Sequence, residues 1–303
     1  MPAAHFDGRR FFNPDGRQAL GWLDALRWKL NTRPEMSPRF IDDVTMNKPA
    51  EQVDGLRITL VNHSTVLIQQ TGCNILTDPV WGERVSPLSW IGPRRRRKPG
   101  VLWEDLPRID IVLLSHNHYD HLELASLRRL AARGDSTFII PRGVGDLLRS
   151  QKIGPFEELD WGERWRTIHC VPAVHFSGRG LFDRNQTLWC GYMIERQGRL
   201  VYFAGDTAFG SHFAGIREEF GPPDVALLPI GAYEPRWFMS PVHMGPDEAA
   251  KAHEILGAKI SIAIHHGTFQ LADEGINRPR TVLRESAPES FIVLNNGGFA
   301  DIP

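Results

Sequence analysis

Cysteine is scarce in this chain: Cys73, Cys170 and Cys190 are the only three in 303 residues, and none forms a CxxC pair. That pattern gives no support for a disulfide framework or a thiolate zinc knot, and it suits a reducing compartment. Long apolar runs are missing as well. No stretch approaches the roughly 18 residues that span a bilayer. The N-terminal "MPAAHFDGRRFFNPDGRQAL" places charge, Pro and Gly where a secretory leader needs a continuous apolar core. Both absences point to a cytoplasmic protein. Net charge is also nearly absent, with 35 Lys and Arg against 36 Asp and Glu, or −1 overall. No global field draws the chain to nucleic acid or to an anionic surface, so an anionic partner must be recognised locally. Nucleic acid is set aside as a partner, because the one basic run, Arg94 to Lys98 in "GPRRRRKPG", has no interleaved aromatics. Nothing in the sequence fixes an oligomeric state.

What is present is a globular composition, 42% hydrophobic and 23% charged, long enough to bury a large core. Residues 1–55 read as an N-terminal extension packed on the core, and residues 56–303 as the main domain. Within the extension, "ALGWLDALRWKL" has Leu20, Leu23, Leu26 (or Trp22) and Leu30 near helical spacing. Such a helix either packs its stripe on the domain or rests on a membrane surface, and packing is the expected outcome. From Leu56 the pattern changes to strands, "LRITLVNHSTVLIQQ", "CNILTDPV" and the short apolar "IDIVLLS" of a sheet buried on both faces. "LELASLRRLAARG" reads as a helix stopped at Gly134, and "PDEAAKAHEILGA" as one with Pro246 near its first position. A hairpin turns at Gln197 and Gly198, and "FIVLNNGGFADI" is a final strand. Strands dominate the first third and helices alternate with strands afterwards. This order fits an α/β protein, a four-layer αββα sandwich.

The chemistry concentrates in "SHNHYDH", Ser115 to His121, directly after a predicted strand. A strand end is a rigid mount from which a turn can aim several side chains at one point. His116, His118, Asp120 and His121 supply nitrogen and hard oxygen, the ligand set of Zn²⁺ in catalytic sites, tolerated by Mn²⁺ and Fe²⁺. Downstream, His175, Asp206 and His265 each stand at the end of another predicted strand. Without a cation, so many imidazoles beside carboxylates would compete for too few partners. The isolated His5, His63, His169, His212 and His253 read instead as surface or hydrogen-bonded core residues.

These residues, with "NHSTVLIQ", "LTDPVW", "SPLSWIGPRR", "YFAGDTAF", "LLPIGAYEPRWFM" and "AIHHGTFQLADE", resemble the metallo-β-lactamase superfamily. Within it they closely resemble the branch of N-acyl-phosphatidylethanolamine-hydrolysing phospholipases D and their bacterial relatives. The resemblance runs from about Leu56 to Glu274, with a weaker echo at "FFNP". It implies the αββα fold and two divalent metal ions. One would be held by His116, His118 and His175, the other by Asp120, His121 and His265, with Asp206 between them. It further implies Asp120 and His243 as catalytic residues, His243 reaching the substrate phosphate. Asp78 of "LTDP" would orient a ligand imidazole, and His266, where the phospholipase pattern carries Trp, would be a pocket residue behind the ligands. A hydroxide shared by two cations needs no protein nucleophile, which accounts for the lack of a Ser or Cys candidate.

The activity so implied is phosphodiester hydrolysis on a small-molecule or lipid-like substrate. Hydrolysis of a lactone or other carbonyl ester is the alternative, since the same site attacks carbon, and a non-catalytic binding module is a third reading. The Arg94 to Lys98 run stands either as a solvated face or as a local attraction for lipid or phosphate.

Overall fold

Two seven-stranded sheets form the centre of the molecule. The computed structural model describes residues 5–88, 90–180 and 182–303; Met1 to Ala4 of the expected leaderless N-terminus and Ser89 of "SPLSWIGPRR" lie outside them. The first sheet contains β1 (Leu56–Asn62), β2 (Thr65–Gln70), β3 (Cys73–Thr77), β4 (Ile111–Leu113), β5 (Thr137–Pro141) and β6 (Phe156–Leu159). The second contains β7 (Arg164–Trp165), β8 (Ile168–Val171), β9 (Gly191–Arg196), β10 (Arg199–Phe203), β11 (Val225–Pro229), β12 (Ile260–Ile264) and β13 (Phe291–Ile292). The chain then returns to the first sheet as β14 (Phe299–Ile302), which pairs antiparallel with β1. Each sheet is antiparallel at one side and parallel at the other.

Period-two alternation divides the strands between an inner and an outer face. Val66 and Ile68 of β2, Val201 and Phe203 of β10, and Val225 and Leu227 of β11 meet in the core between the sheets. Their neighbours Tyr202, Ala226 and Leu228 face outward and are covered by α4 (His212–Phe220), α6 (Pro246–Leu256) and α7 (Arg278–Ser286). On the first sheet, Leu67, Leu76 and Phe138 are covered by α2 (Leu124–Arg133) and α3 (Gly145–Ser150). Both sheets are thus buried on both faces, giving the expected αββα order. The α2 helix ends at Gly134, whose φ of 77° is the left-handed conformation that glycine adopts without a Cβ clash.

Two sequence expectations change. The apolar stretch "FIVLNNGGFADI" is not one strand, because Asn295 to Gly298 turn, with Gly297 at φ 83°, and send β13 and β14 to different sheets. The leucine stripe of α1 (Trp22–Asn31) is not what packs: Trp22, Leu23, Leu26 and Leu30 are exposed, and Trp28 is the buried residue. Trp28 stacks near Phe238 of the short α5 (Arg236–Met239) and donates Nε1–H to Asp273 Oδ2 at 2.7 Å. A hydrogen bond with aromatic contact fixes α1 where the stripe does not. No helix among the described residues is long and apolar enough to cross a membrane.

Candidate metal centre

The ends of β1, β3, β4, β8, β10 and β12 converge on one rim between the sheets. At three of these ends a non-glycine residue takes positive φ: His63 (45°), Asp78 (34°) and His265 (56°). Such conformations cost free energy and persist where surrounding contacts enforce them. Two glycines permit the approach. A Cβ at Gly205 would stand 2.6 Å from Ser115 Cβ, and one at Gly231 would stand 2.1 Å from the His265 carbonyl oxygen. Gly205 therefore lets Asp206 come within reach of the histidine turn.

The side chains form two overlapping groups. In the first, His116 Nε2 lies 2.8 Å and His175 Nε2 3.2 Å from His118 Nδ1. In the second, Asp120 Oδ2 lies 3.3 Å from His265 Nε2, 3.5 Å from His121 Nε2 and 3.2 Å from His63 Nε2. Asp206 Oδ2 belongs to both: it is 3.9 Å from His116 Nε2, 3.8 Å from His175 Nε2, 3.2 Å from His121 Nε2 and 3.1 Å from His265 Nε2. The remote ring nitrogens are anchored. His121 Nδ1 donates to Asp78 Oδ2 at 2.6 Å, and His175 Nδ1 donates to the Val242 carbonyl at 2.8 Å. Ser115 Oγ donates to Asp78 Oδ2 at 2.6 Å, leaving its oxygen to accept from His116 Nδ1 at 2.9 Å. Such outer contacts fix the tautomer and direction of an imidazole.

The electrostatics follow from burial and proximity. Burial, together with the neighbouring His175, holds His118 down to about 3, and burial keeps His175 at about 4 against the pull of Asp206. Burial opposes charge on His265 too, yet Asp206 and the hydrogen bond with Asp120 hold it up at about 9. Burial would raise Asp120 and Asp206, but the His121 charge and the imidazole hydrogen bonds keep both well below the usual carboxylate range. His116, His118 and His175 are thus neutral beside ionised carboxylates, the donor set a divalent cation needs, while His121 and His265, which the carboxylates hold above the ordinary imidazole value, give up a proton when a cation binds. The combinations His116–His118–His175, His63–Asp120–His121–His265 and His116–His121–Asp206 each bring one ligand atom per residue within 4.8 Å of the others. His121 Nε2 and Asp206 Oδ1 are buried without a hydrogen-bond partner, a cost that a cation removes. The residues fit a metal.

Sequence reasoning missed two contributors. His63, read as an ordinary core histidine, packs against His265 with ring centroids 4.2 Å apart and touches Asp120. Asn13 of "FFNP" accepts from the His175 backbone N–H at 3.3 Å and donates to the His175 carbonyl at 2.9 Å, so the N-terminal segment pins the loop that follows β8. The other isolated histidines take ordinary partners, such as Asp160 for His5 and Ser261 for His253. His243 stands at the rim, with Nδ1 4.0 Å from Asp206 Oδ2 and its ring stacked on His265. His266 turns away to the Ala263 carbonyl at 3.2 Å and joins no metal-competent group. Above the cluster opens a cavity of about 310 Å³, walled by apolar residues including Leu20, Phe176, Phe238 and Leu271, with His118, Asp120, Asp206, His243 and His265 at its base.

An αββα sandwich with a histidine and aspartate cluster at its strand ends defines a metal-dependent hydrolase of the β-lactamase kind. Residues 73–266 match the family described as the beta-lactamase superfamily domain, and the chain belongs to that superfamily. It is similar to an N-acyl-phosphatidylethanolamine-hydrolyzing phospholipase D of Caenorhabditis elegans, 41% identical over 247 residues, which cover 76% of this chain and 69% of that protein. A mitochondrial protein of the same description from Saccharomyces cerevisiae is 31% identical over 278 residues, 87% of this chain but 58% of its own length. Among solved structures, an isothiocyanate hydrolase from Delia radicum gut bacteria aligns with a TM-score of 0.66 at 20% identity, covering 80% of this chain and 98% of that one. A metallo hydrolase from Ignicoccus hospitalis aligns at 0.59 and 23% identity, covering 81% and 97%. These two likenesses speak for the fold alone.

Proposed function

We propose that this chain is a dinuclear phosphodiesterase of the phospholipase D type. The observation that carries the dinuclear reading is the position of Asp206 Oδ2, within 4.0 Å of His116 and His175 on one side and of His121 and His265 on the other. His116, His118 and His175 hold one cation, Asp120, His121 and His265 the second, and Asp206 joins them. Two divalent ions, zinc by the nitrogen-rich donor set with manganese or iron tolerated, supply Lewis acidity toward the phosphoryl oxygens and make water a nucleophile at neutral pH. Asp78, Ser115 and the Val242 carbonyl orient the imidazoles. His243, kept neutral by burial against the pull of Asp206, offers a ring N–H to a phosphoryl oxygen or to the departing alkoxide. The apolar wall excludes water and takes the hydrocarbon part of a lipid-like substrate. Similarity to the named phospholipases supports phosphorus as the attacked centre. The three buried free cysteines support a cytoplasmic location.

A carbonyl-ester reading has one observation in its favour: among the described residues no Lys or Arg lines the pocket, which suits a neutral lactone as well as a shielded phosphodiester. Metal analysis and turnover on a soluble phosphodiester, N-acyl-phosphatidylethanolamine and a lactone separate the two. The expected result is about two metals per chain and phosphodiester turnover, which Asp120→Asn lowers by at least about 100-fold, since one charged ligand of a cation is lost. Fewer than one metal per chain with an inert Asp120→Asn sinks the mechanism. Lactone turnover alone promotes the second reading.

A further inference from the structure

The run Arg94 to Lys98 alternates instead of forming one patch. Arg95 and Arg97 are buried, Arg95 bonded to the carbonyls of Val80 and Gly82 and to Asn62, and Arg97 to Asp43, Asn277 and the Gly267 carbonyl. Arg94 and Arg96 face the other way. With Arg39, Arg84 and Gln270 they line a cavity of about 420 Å³. The backbone brings them together: Arg84 and Arg94 form an antiparallel bridge, and Ile41 N–H donates to the Arg96 carbonyl at 2.9 Å, laying the Arg39 segment alongside. Among the described residues, Arg94 has Glu83 at 3.5 Å, and Arg39, Arg84 and Arg96 have no carboxylate at ion-pair distance. Arg96 Nε is buried and without a hydrogen-bond partner. Arg84 donates to the Gly92 carbonyl at 2.6 Å and Arg96 to the Pro38 carbonyl at 3.0 Å, which leaves four guanidiniums round one cavity with one surface carboxylate beside them, a local positive charge that an anion in the cavity would offset.

Apolar side chains flank this cavity. The loop joining Arg84 to Arg94 exposes Leu88, Trp90 and Ile91 at 45%, 72% and 51%, and the Arg39 segment exposes Phe40 and Met36. Exposed Trp and aliphatic residues next in the chain to cavity-lining Arg are a pairing that a bilayer interface accommodates, apolar side chains in the acyl boundary and cations at the phosphates. The arginine cavity also adjoins the metal pocket, for the consecutive residues Arg84 and Val85, and again Gln270 and Leu271, line one cavity each.

We propose that the arginine cavity binds the phosphate headgroup of an anionic phospholipid while Leu88, Trp90 and Ile91 seat in the bilayer interface. The site is separate from the metal ligands and needs no turnover, so it stands or falls independently of the proposed reaction. The test is flotation of the full chain with phosphatidylcholine vesicles, with and without phosphatidylglycerol, at rising salt. Binding is expected to the anionic vesicles and to weaken with salt as screening shortens. Arg39→Gln with Arg94→Gln, neither of which holds a backbone carbonyl among the described residues, should weaken it about 25-fold, at roughly fivefold per charge removed near the surface. Trp90→Ser should weaken it too. Arg149→Gln with Arg164→Gln, on α3 and β7, removes the same charge elsewhere and should change little, and melting curves confirm that each variant folds. Equal binding to neutral vesicles, or unchanged binding by the Arg39 and Arg94 variant, overturns the proposal. So does inorganic phosphate raising the melting temperature through Arg39 and Arg94 with no vesicle binding, which reassigns the cavity to a soluble anion.

Discussion

The two halves of the proposed metal centre are built differently. The His116, His118 and His175 half is all nitrogen, and its backbone is tied down from two directions, by Val242 on the His175 ring and by Asn13 on the His175 peptide. The Asp120, His121 and His265 half carries the negative charge, leans on the buried Asp78, and has His63 as an extra imidazole against Asp120. Two of its supports, Asp78 and His63, and one of its ligands, His265, sit at positive φ. One half is held by ordinary hydrogen bonds on relaxed backbone, the other by charge on strained backbone. Under the proposed mechanism the second half is the more easily perturbed, and its cation should leave first.

Three substitutions bear on that contrast. Asp206→Asn removes the charge common to both halves and should act on both, with metal content falling to one per chain or fewer and turnover dropping about 10³-fold or more, as loss of several kcal/mol of charge stabilisation requires. Two tightly bound metals in this variant would end the bridging assignment. Asp78→Asn should weaken the second cation by the ten- to hundredfold typical of an outer carboxylate on a ligand imidazole, and the first one less, because Asp78 reaches His116 only through Ser115 Oγ, visible as two separated steps in a chelator titration. A single shared step would mean that the halves act as one. Asn13→Ala should have the smallest effect, on the first half, lowering stability by about 1–3 kcal/mol for the buried groups left unpaired around His175, read from denaturant midpoints with metal bound. An unchanged midpoint would show that the N-terminal segment lies on the site without supporting it.

Much of this architecture can be read from the chain because the signals are local. A short apolar run followed at once by His or Asp marks a strand end, and strand ends on the same side of a sandwich meet. Asp78 and His243 could be anticipated from their motifs, and the structure sets them against His121 and beside Asp206 respectively. His63 could not, because a single histidine between two strands carries no spacing pattern, and its turn toward Asp120 depends on a left-handed backbone that the sequence does not announce. Asn13 lies 162 residues from the peptide it holds. The arginine run misleads for a different reason: five consecutive cations suggest a solvated face, whereas extended backbone turns alternate side chains to opposite sides, burying Arg95 and Arg97 and leaving Arg94 and Arg96 at the cavity. The α1 leucines mislead the other way, offering a packing stripe where a tryptophan with one hydrogen bond does the packing.

The return of β14 to the first sheet sets a schedule for synthesis. β1 leaves the ribosome long before its outer partner, Phe299–Ile302, is made. Until those emerge, β1 presents an open row of backbone donors and acceptors, the kind of edge on which unrelated nascent strands pair. The β14 residues therefore guard the growing chain against aggregation, although none of them touches the chemistry.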